Sequence, residues 1–283
     1  MPKQKNIRPR MDAEDYAQWQ RLQGKEVTID GVESEWLLEF EDGRDEVANA
    51  VKVEGKTAVL CDIHLGVHDK QALIAALNYI RREKVDTIIL NGDTIDGARI
   101  SRHPQLPDQP RFMQELELAK AFLKGLRADF PAARILFKLG NHEDRLEAYL
   151  MKNAAELAGL VDFNKLLDLE NLGIELVSST GFIKHPGTYI VHGHEMKISG
   201  GVNPARSLLL KAFDNTIMGH VHKSTQASGK NMSDVFIRTH TIGCLCKLKM
   251  HYMPHSNSNH GFGIIEADGK VRNIWIVNGI VEW

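Results

Sequence analysis

Apolar residues along much of the chain form short runs that alternate with longer segments of helical spacing. Three of these runs are rich in Val, Ile and Leu and are typical of buried strands: 59–60, 88–90 and 135–137. Between them, residues 70–83 and 112–130 place apolar side chains at every third or fourth position, which predicts two amphipathic helices. Strands that alternate with helices in this way predict a layered α/β fold in which both helices pack on a sheet.

The second half of the chain contains further predicted strands. Apolar runs at 189–191 and 216–218 each lead into a histidine. Residues 262–266 and 271–277 flank an Asp-Gly turn, which is the pattern of a β-hairpin. The closing hairpin suggests that a second, partly antiparallel sheet completes the fold.

The first 55 residues lack this alternation, and we interpret residues 1–55 as an N-terminal extension. Helical spacing at residues 11–23, with Asp12 as the cap, predicts a small amphipathic helix. Short apolar groups at 27–29 and 36–38 predict short strands separated by acidic turns.

Composition and charge narrow the class of protein. The formal net charge of −2 excludes a protein that binds nucleic acid over its whole surface, although a local basic groove remains open. No apolar run approaches the roughly 20 residues of a membrane span, and the polar first residues lack the apolar core of a secretory signal. Three cysteines, an odd number, indicate thiols in a reducing compartment. We therefore expect a soluble, cytoplasmic protein without membrane contacts.

Five apolar runs end within a few residues of side chains that can bind metal ions. Ligands of α/β sheets bind at the carboxyl ends of the strands, so these side chains are expected to converge. The pieces are Asp62-Ile63-His64, Gly92-Asp93-Thr94-Ile95-Asp96, Gly140-Asn141-His142-Glu143, His192-Gly193-His194 and Gly219-His220-Val221-His222. Alternate residues of a strand point to the same side, so the two-residue spacings predict paired ligands. Each piece alone is common in unrelated proteins, but together they predict a metal site.

The order of these blocks resembles the calcineurin-like metallophosphoesterase superfamily, with its D-x-H, GD-x-x-D, GNH-D/E, H and GH-x-H motifs. The resemblance implies a four-layer α/β/β/α sandwich, two mixed sheets flanked by helices, with a catalytic domain at residues 56–283. The segment at 140–147 and the Gly-Phe-Gly at 261–263 also resemble uncharacterised phage-type members, which would place the protein in a host cytoplasm.

By this resemblance, two divalent metal ions would be bound by seven residues. One ion would be bound by Asp62, His64 and His222, the other by Asn141, His192 and His220, with Asp93 bridging both. Imidazole and carboxylate ligands suit Mn, Fe, Zn, Co or Ni better than Ca, and manganese is the first expectation.

The same resemblance implies a mechanism without a covalent nucleophile. Two cations about 3.5–4 Å apart would lower the pKa of a bridging water, and the resulting hydroxide would attack phosphorus in line. His142 resembles the family's catalytic histidine, which protonates the leaving oxygen or stabilises its charge. Asp96 resembles the aspartate that orients this histidine in the phosphoprotein phosphatase branch.

Two departures from that branch bear on the substrate. Gly97 follows Asp96 where the protein phosphatases have an arginine, which argues against protein phosphatase activity. The closing GH-x-H block is more similar to phosphodiesterases, nucleases and small-molecule enzymes. We therefore favour a phosphodiester of DNA, RNA or a nucleotide over a monoester on a small molecule or protein. The candidate substrate contacts are Arg99, Arg145 and His194, and Arg145 could instead be an exposed helical ion-pair partner.

Two alternatives remain open at this level. The first is a metal-bound scaffold that binds a partner without turnover, although such proteins usually lose catalytic residues that are present here. The second concerns Cys244 and Cys246, which either pack on a strand or form a separate zinc site with His251 and His255. The His-rich segment at 251–260 could also cover the substrate pocket.

Overall fold

The computed structural model describes residues 50–102, 109–198, 200–249 and 256–282. The helix predicted at 11–23 and the short strands of the N-terminal extension lie outside the described residues. Residues 51–52, at the end of the predicted extension, form strand β1 (Val51–Lys52). Strands and helices are numbered along the chain.

A seven-stranded mixed sheet forms the first of two β layers. Its parallel half consists of β2 (Thr57–Leu60), β3 (Thr87–Asn91), β4 (Arg134–Lys138) and β5 (Ile174–Val177). Its antiparallel half consists of β11 (His260–Ile265), β12 (Val271–Val277) and β13 (Ile280–Glu282), with β11 paired to β2. The hairpin predicted at the end of the chain is therefore confirmed, but it extends the first sheet. The expectation that it belongs to a second sheet is wrong.

A six-stranded sheet forms the second β layer, in the order β1, β6, β7, β8, β10, β9. Its remaining strands are β6 (Ile183–His185), β7 (Thr188–Val191), β8 (Thr216–Met218), β9 (Thr225–Lys230) and β10 (Phe236–Thr241). Strands β7, β8 and β10 run parallel to one another, whereas β6 and β9 are antiparallel to their neighbours β7 and β10.

In the described part of the chain, five α-helices flank the sheets: α1 (Lys70–Glu83), α2 (Phe112–Asp129), α3 (Asp144–Asn153), α4 (Phe163–Leu167) and α5 (Pro204–Ala212). Two 3₁₀ helices lie at Ala98–Ile100 and Ala155–Leu157. The Asp69 carboxylate caps α1 by accepting from the Ala72 backbone N–H at 2.9 Å, and Asn203 caps α5 in the same manner. The two long helices match the periodicity in the sequence, and each of the described helices is too short or too polar to span a bilayer.

Side-chain alternation along the central strands divides the core into layers. In β2, Leu60 packs on the outer face with α1 and α2, whereas Val59 faces the other sheet, where it packs with Ile190 and Ile217. A third cluster, which includes Leu208 of α5 and Met218, covers the far face of the six-stranded sheet. The expected α/β/β/α sandwich of two mixed sheets is thus confirmed.

Candidate metal centre

The predicted site residues of both sheets meet at one end of the sandwich, in the loops that follow the strands. The seven-stranded sheet contributes the loops after β2, β3 and β4, and the six-stranded sheet contributes those after β7 and β8. Among the described residues, three groups of side chains are close enough to share an ion, and one of them includes Cys246 from the segment after β10. Their donor atoms lie within 4.8 Å of one another in each group: His64, His222 and Cys246; His64, Asp93 and His142; and Asp93, His192 and His220.

Five of the predicted ligands adopt the left-handed backbone region, which residues other than glycine rarely occupy. They are Asp62 (φ 54°), His64 (φ 49°), Asp93 (φ 54°), His220 (φ 65°) and His222 (φ 54°). These residues lie beyond the ends of the strands, so the alternation expected for paired ligands on a strand is the wrong explanation of their spacing. Such costly backbone conformations typically mark a functional site.

The Asp93 carboxylate lies at the centre of the cluster. Its Oδ2 is 3.4 Å from His192 Nε2, 3.7 Å from His142 Nε2 and 3.9 Å from His64 Nε2. Its Oδ1 accepts the backbone N–H of His142 at 3.0 Å. The Asp93 carboxylate belongs to two of the three groups. One contains His64 and His142, and the other contains His192 and His220.

Asp62 links the first strand loop to the six-stranded sheet. Its Oδ1 lies 3.2 Å from His222 Nε2, and its Oδ2 accepts the backbone N–H of His220 at 2.9 Å. Among the described residues, Asp62 Oδ1 and the Nε2 atom of His64 are buried without a hydrogen-bond partner. Buried polar atoms without partners are rare in folded proteins, and a cation bound by carboxylate and imidazole would satisfy both.

The second half of the cluster is built around His192. Its Nδ1 is 2.7 Å from the Asn91 carbonyl oxygen, so Nδ1 carries a hydrogen and Nε2 is the nitrogen at which a metal ion can replace a proton. This Nε2 lies 3.2 Å from Asn141 Oδ1. The His220 ring is centred 5.1 Å from that of His192. The tautomer with a free Nε2 is the one that metal-binding histidines use when a carbonyl holds the other nitrogen.

The electrostatics of the cluster favour positive charge. Burial raises the pKa of Asp93, but attraction to His192 and His142 outweighs it and holds the pKa well below its usual value. Burial lowers the pKa of His192, yet the Asp93 carboxylate raises it to about 10. The buried carboxylates thus demand cationic neighbours, and divalent metal ions meet the same demand.

His142 is held by Asp96 and Arg145. Its Nδ1 lies 2.7 Å from the Asp96 carbonyl oxygen and 3.3 Å from Asp96 Oδ1. Arg145 donates to that same carbonyl at 2.7 Å and to His142 Nε2 at 2.8 Å. Since a guanidinium has no acceptor, Nε2 must accept and Nδ1 must carry the hydrogen. Arg145 is therefore part of the site, and its interpretation as an exposed ion-pair partner is wrong.

The Asp96 carboxylate faces two histidines. Its Oδ1 is 3.0 Å from His64 Nδ1, in addition to its contact with His142. Burial raises its pKa, but the hydrogen bonds with His142 and His64 outweigh this effect and lower it. Asp96 therefore lies where the resemblance predicts it, and it also orients a predicted ligand.

Glu143 has a structural role that the sequence reasoning did not assign. Its buried carboxylate accepts backbone N–H groups from Gly140 at 2.8 Å, Ile95 at 2.9 Å and Asp93 at 3.0 Å. Gly140 must lack a side chain because a Cβ there would overlap the Asp93 carboxylate and backbone nitrogen. We call these three hydrogen bonds the Glu143 clamp, and they fix the loops after β3 and β4. Glu143 is the fourth residue of the Gly-Asn-His-Glu block, so the sequence motif already contained it.

A buried ion pair, also missed, holds the loop after β7. Lys138, the last residue of β4, is fully buried, and its Nζ donates to the Ser179 carbonyl oxygen at 2.7 Å. The same Nζ lies 3.4 Å from Glu195 Oε1. The Glu195 carboxylate accepts the backbone N–H groups of His192 at 2.9 Å and Gly193 at 2.6 Å. The pair thus connects the two sheets at a predicted ligand.

The two remaining predicted substrate contacts lie at different positions. His194 is at the edge of the cluster, with Nε2 3.6 Å from Asp144 Oδ2. The Arg99 side chain donates to the Gln109 carbonyl oxygen at 3.1 Å, in the segment after β3. His194 is therefore brought to the cluster, whereas Arg99 is bound to its own loop.

The two late cysteines do not pack on a regular strand, so that expectation is wrong. Cys244 and Cys246 form isolated bridges, with His260 and His68 respectively, and both thiols are buried. Cys246 Sγ lies 3.7 Å from His222 Nδ1, beside the metal cluster. His251 and His255, the other residues of the alternative zinc site, lie outside the described residues.

A comparison with known protein families identifies the family of this chain. The model of the calcineurin-like phosphoesterase family matches residues 55–240, well over half of the chain. No curated protein matches this chain. Its similar solved structures include Yfce, a phosphoesterase from E. coli, at 12% identity, covering 78% of this chain and 100% of that chain with a TM-score of 0.37. Vacuolar Protein Sorting 29 from Cryptosporidium parvum matches at 10% identity, over 81% of this chain and 95% of that chain, with a TM-score of 0.44.

A dimetal phosphatase from Danio rerio is similar at 12% identity, over 79% of this chain and 93% of that chain, with a TM-score of 0.32. From the family match, and from the groups of metal-competent side chains that the fold assembles, the chain belongs to the calcineurin-like phosphoesterase family as a metal-dependent hydrolase.

Proposed function

We propose that the protein is a dinuclear phosphodiesterase acting on DNA, RNA or a nucleotide, with manganese as its metal. The observation that supports two ions is the position of Asp93, whose carboxylate belongs to one group with His64 and His142 and to another with His192 and His220. One buried carboxylate shared by two groups is the arrangement expected of a bridging ligand.

The proposed ligands of the first ion are Asp62, His64 and His222, and those of the second are Asn141, His192 and His220, with Asp93 shared. This set offers imidazole and oxygen donors, which suit manganese, iron, zinc, cobalt or nickel. When bound, the two ions would lower the pKa of a water and neutralise charge on the phosphoryl oxygens.

His142 is the proposed proton donor to the leaving oxygen. Its Nδ1–H is bound to the Asp96 carbonyl oxygen, which leaves Nε2 as the nitrogen that can face the substrate. In this structure Arg145 donates to Nε2. Before Nε2 can donate, it must take up a proton, and for this Arg145 has to turn away. The phosphoryl oxygens of a substrate are the natural alternative acceptors for the Arg145 guanidinium. Arg145 thus combines the roles of substrate contact and cover for the acid.

Two features favour a diester over a monoester. Gly97 occupies the position where protein phosphatases have a phosphate-binding arginine. Among the described residues, Arg145 is the cationic side chain that contacts His142, and one guanidinium suits the single negative charge of a diester. Hydrolysis of a monoester, on a small molecule or a protein, is the alternative. We place the protein in the cytoplasm, in keeping with its thiols.

A comparison of two chromogenic substrates tests the proposal. The manganese-loaded protein should hydrolyse bis(p-nitrophenyl) phosphate faster than p-nitrophenyl phosphate. The reverse preference would identify a monoesterase. If metal binds but neither substrate is hydrolysed, the protein is better explained as a non-catalytic scaffold. Single- and double-stranded DNA, RNA and cyclic nucleotides, assayed in the same way, would then identify the natural diester.

A further inference from the structure

The thiol of Cys246 lies directly behind a proposed metal ligand. Its Sγ is 3.7 Å from His222 Nδ1, a normal distance for a hydrogen bond to sulfur, and its side chain is almost fully buried. Neither the family motifs nor the proposed mechanism gives this cysteine a role.

The orientation of the His222 ring decides which of its nitrogens can bind an ion. Nε2 faces the Asp62 carboxylate at 3.2 Å, whereas Nδ1 faces Cys246 on the other side of the ring. The two nitrogens of one imidazole diverge and cannot bind the same ion. If Nε2 binds the metal beside Asp62, Nδ1 must carry the hydrogen and needs an acceptor.

We propose that Cys246 is a positioning residue whose sulfur accepts the Nδ1–H of His222 and so holds Nε2 toward the first metal ion. The inference rests on the dinuclear function proposed above. It gives His222 a sulfur partner, whereas two other proposed histidine ligands have oxygen partners. His64 faces the Asp96 carboxylate at 3.0 Å, and His192 faces the Asn91 carbonyl oxygen at 2.7 Å. Sulfur is a weaker acceptor than either oxygen.

The backbone around Cys246 is built to hold the thiol in place. The Leu245 N–H donates to the Asp62 carbonyl oxygen at 3.1 Å, and the Leu245 carbonyl oxygen accepts from Asp69 at 2.8 Å. The Lys247 N–H donates to the Val67 carbonyl oxygen at 3.0 Å. Residues 245–247 are therefore bonded along the loop that carries two of the proposed ligands, and a shift of that loop would move the thiol with it.

The test measures cobalt binding, because Co²⁺ reports on its ligands by spectroscopy whether or not the protein is active. In the Cys246→Ala variant, affinity for the first Co²⁺ should fall by about 10- to 100-fold, the usual cost of losing the partner of a metal-binding histidine. Cys246→Ser retains an acceptor and should recover part of the loss. Thr239→Ala is the matched control, since it removes a buried polar side chain of β10 whose hydroxyl donates to the Ala205 carbonyl oxygen at 2.7 Å.

Two spectroscopic readouts separate positioning from simple packing and from direct ligation. Proton NMR of the Co²⁺ protein should show a slowly exchanging, paramagnetically shifted Nδ1–H of His222 that is lost in Cys246→Ala and retained in Thr239→Ala. No sulfur-to-cobalt charge-transfer band should appear. That band, lost in Cys246→Ala, would overturn the proposal by making Cys246 a ligand, which its place in the group with His64 and His222 would permit.

The outcomes also distinguish this inference from the function on which it rests. Equal Co²⁺ affinity in wild type and Cys246→Ala, with the Nδ1–H signal unchanged, would reject the role of Cys246 and leave the dinuclear centre intact. Failure of the wild-type protein to bind two equivalents of Co²⁺ or Mn²⁺ would instead reject the dinuclear centre.

Discussion

The two sheets contribute different chemistry to the same site. Loops of the seven-stranded sheet supply the oxygen donors, the candidate acid His142 and its partner Asp96. Loops of the six-stranded sheet supply imidazoles alone: His192, His220 and His222. Neither layer can bind two ions by itself, because the carboxylates and most of the imidazoles lie on opposite layers.

The way in which each sheet holds its loops also differs. On the seven-stranded side, the Glu143 carboxylate accepts three backbone N–H groups within the same layer. On the six-stranded side, Glu195 holds the His192 backbone but takes its counter-charge from Lys138, which belongs to the other sheet. The comparison teaches that one half of the centre is preformed within its layer, whereas the other half depends on packing between the layers.

The largest expected effect comes from the shared carboxylate. Asp93→Asn should remove both metal ions and reduce hydrolysis to background, because the neutral amide cannot balance two cations. Asn tolerates the left-handed backbone of this position, so the fold should be retained. Elemental analysis of metal content, with the rate on a diester, checks both parts.

The matched control is Asp168→Asn, since Asp168 is also left-handed but lies exposed at the end of α4. A second contrast is His192→Ala on the six-stranded side, which should remove one ion and leave the other. Full metal content in Asp93→Asn would show that this carboxylate does not bridge.

Loss of the candidate acid should leave the metals in place. His142→Ala should retain both ions while the rate falls by roughly 10²–10⁴-fold, the usual contribution of a general acid. The loss should be greatest for a substrate with a poor leaving group and small for a nitrophenyl ester, which leaves without a proton. A uniform loss across leaving groups would show that His142 binds the substrate and does not donate the proton.

The ion pair between the sheets should affect stability more than catalysis. Lys138→Met leaves Glu195 buried without its partner and should lower the free energy of unfolding by about 3–5 kcal/mol. The double variant Lys138→Met/Glu195→Gln should recover part of that loss. Denaturant unfolding of wild type, the two single variants Lys138→Met and Glu195→Gln, and the double variant would measure it.

Strand β4 carries its own control. Arg134, at the other end of the strand, pairs with Glu175 at 2.7 Å, but side chains of the two residues are 39% and 49% exposed. Arg134→Met should therefore lower the free energy of unfolding by less than about 1 kcal/mol. Equal costs for the two substitutions would contradict the view that the inter-sheet pair supports the six-stranded half.

The last expected effect is confined to a pH window and concerns Glu115 of α2, whose carboxylate accepts the Gly97 N–H beside Asp96. Burial, reinforced by repulsion from Asp96, raises its pKa from 4.5 to about 7. Between these values the folded protein retains a proton that the unfolded chain loses, so this group lowers stability as pH rises through that window. Glu115→Gln removes the titration.

The free energy of unfolding of Glu115→Gln, relative to that of wild type, should therefore increase as pH rises from 4.5 to about 7. Above this window the difference between the two proteins should stay constant. Glu117→Gln, an exposed change on the same helix, should show no such window. A constant difference between wild type and Glu115→Gln at all pH values would mean that the carboxyl is not perturbed.

Much of the fold was predictable because burial leaves a periodic record. Helix α1 has the same limits, 70–83, in the sequence pattern and in the structure, since apolar positions at helical spacing and the capping Asp69 specify them together. The sheet to which the closing hairpin belongs was not predictable, because its alternation is equally compatible with pairing to β2 or to another strand. Pairing partners are chosen by long-range packing.

The sequence by itself determined which residue types stand at the strand ends: Asp62, Asp93, Asn141 and the histidines. It did so because strands and turns have local signatures and because carboxylates and imidazoles in this order are a family motif. Only the tertiary structure decided how they are held. The contacts of Glu143 with the loop after β3, the Lys138–Glu195 pair and the contact of Cys246 with His222 join residues far apart in the chain. Such contacts depend on long-range packing, which no local pattern encodes.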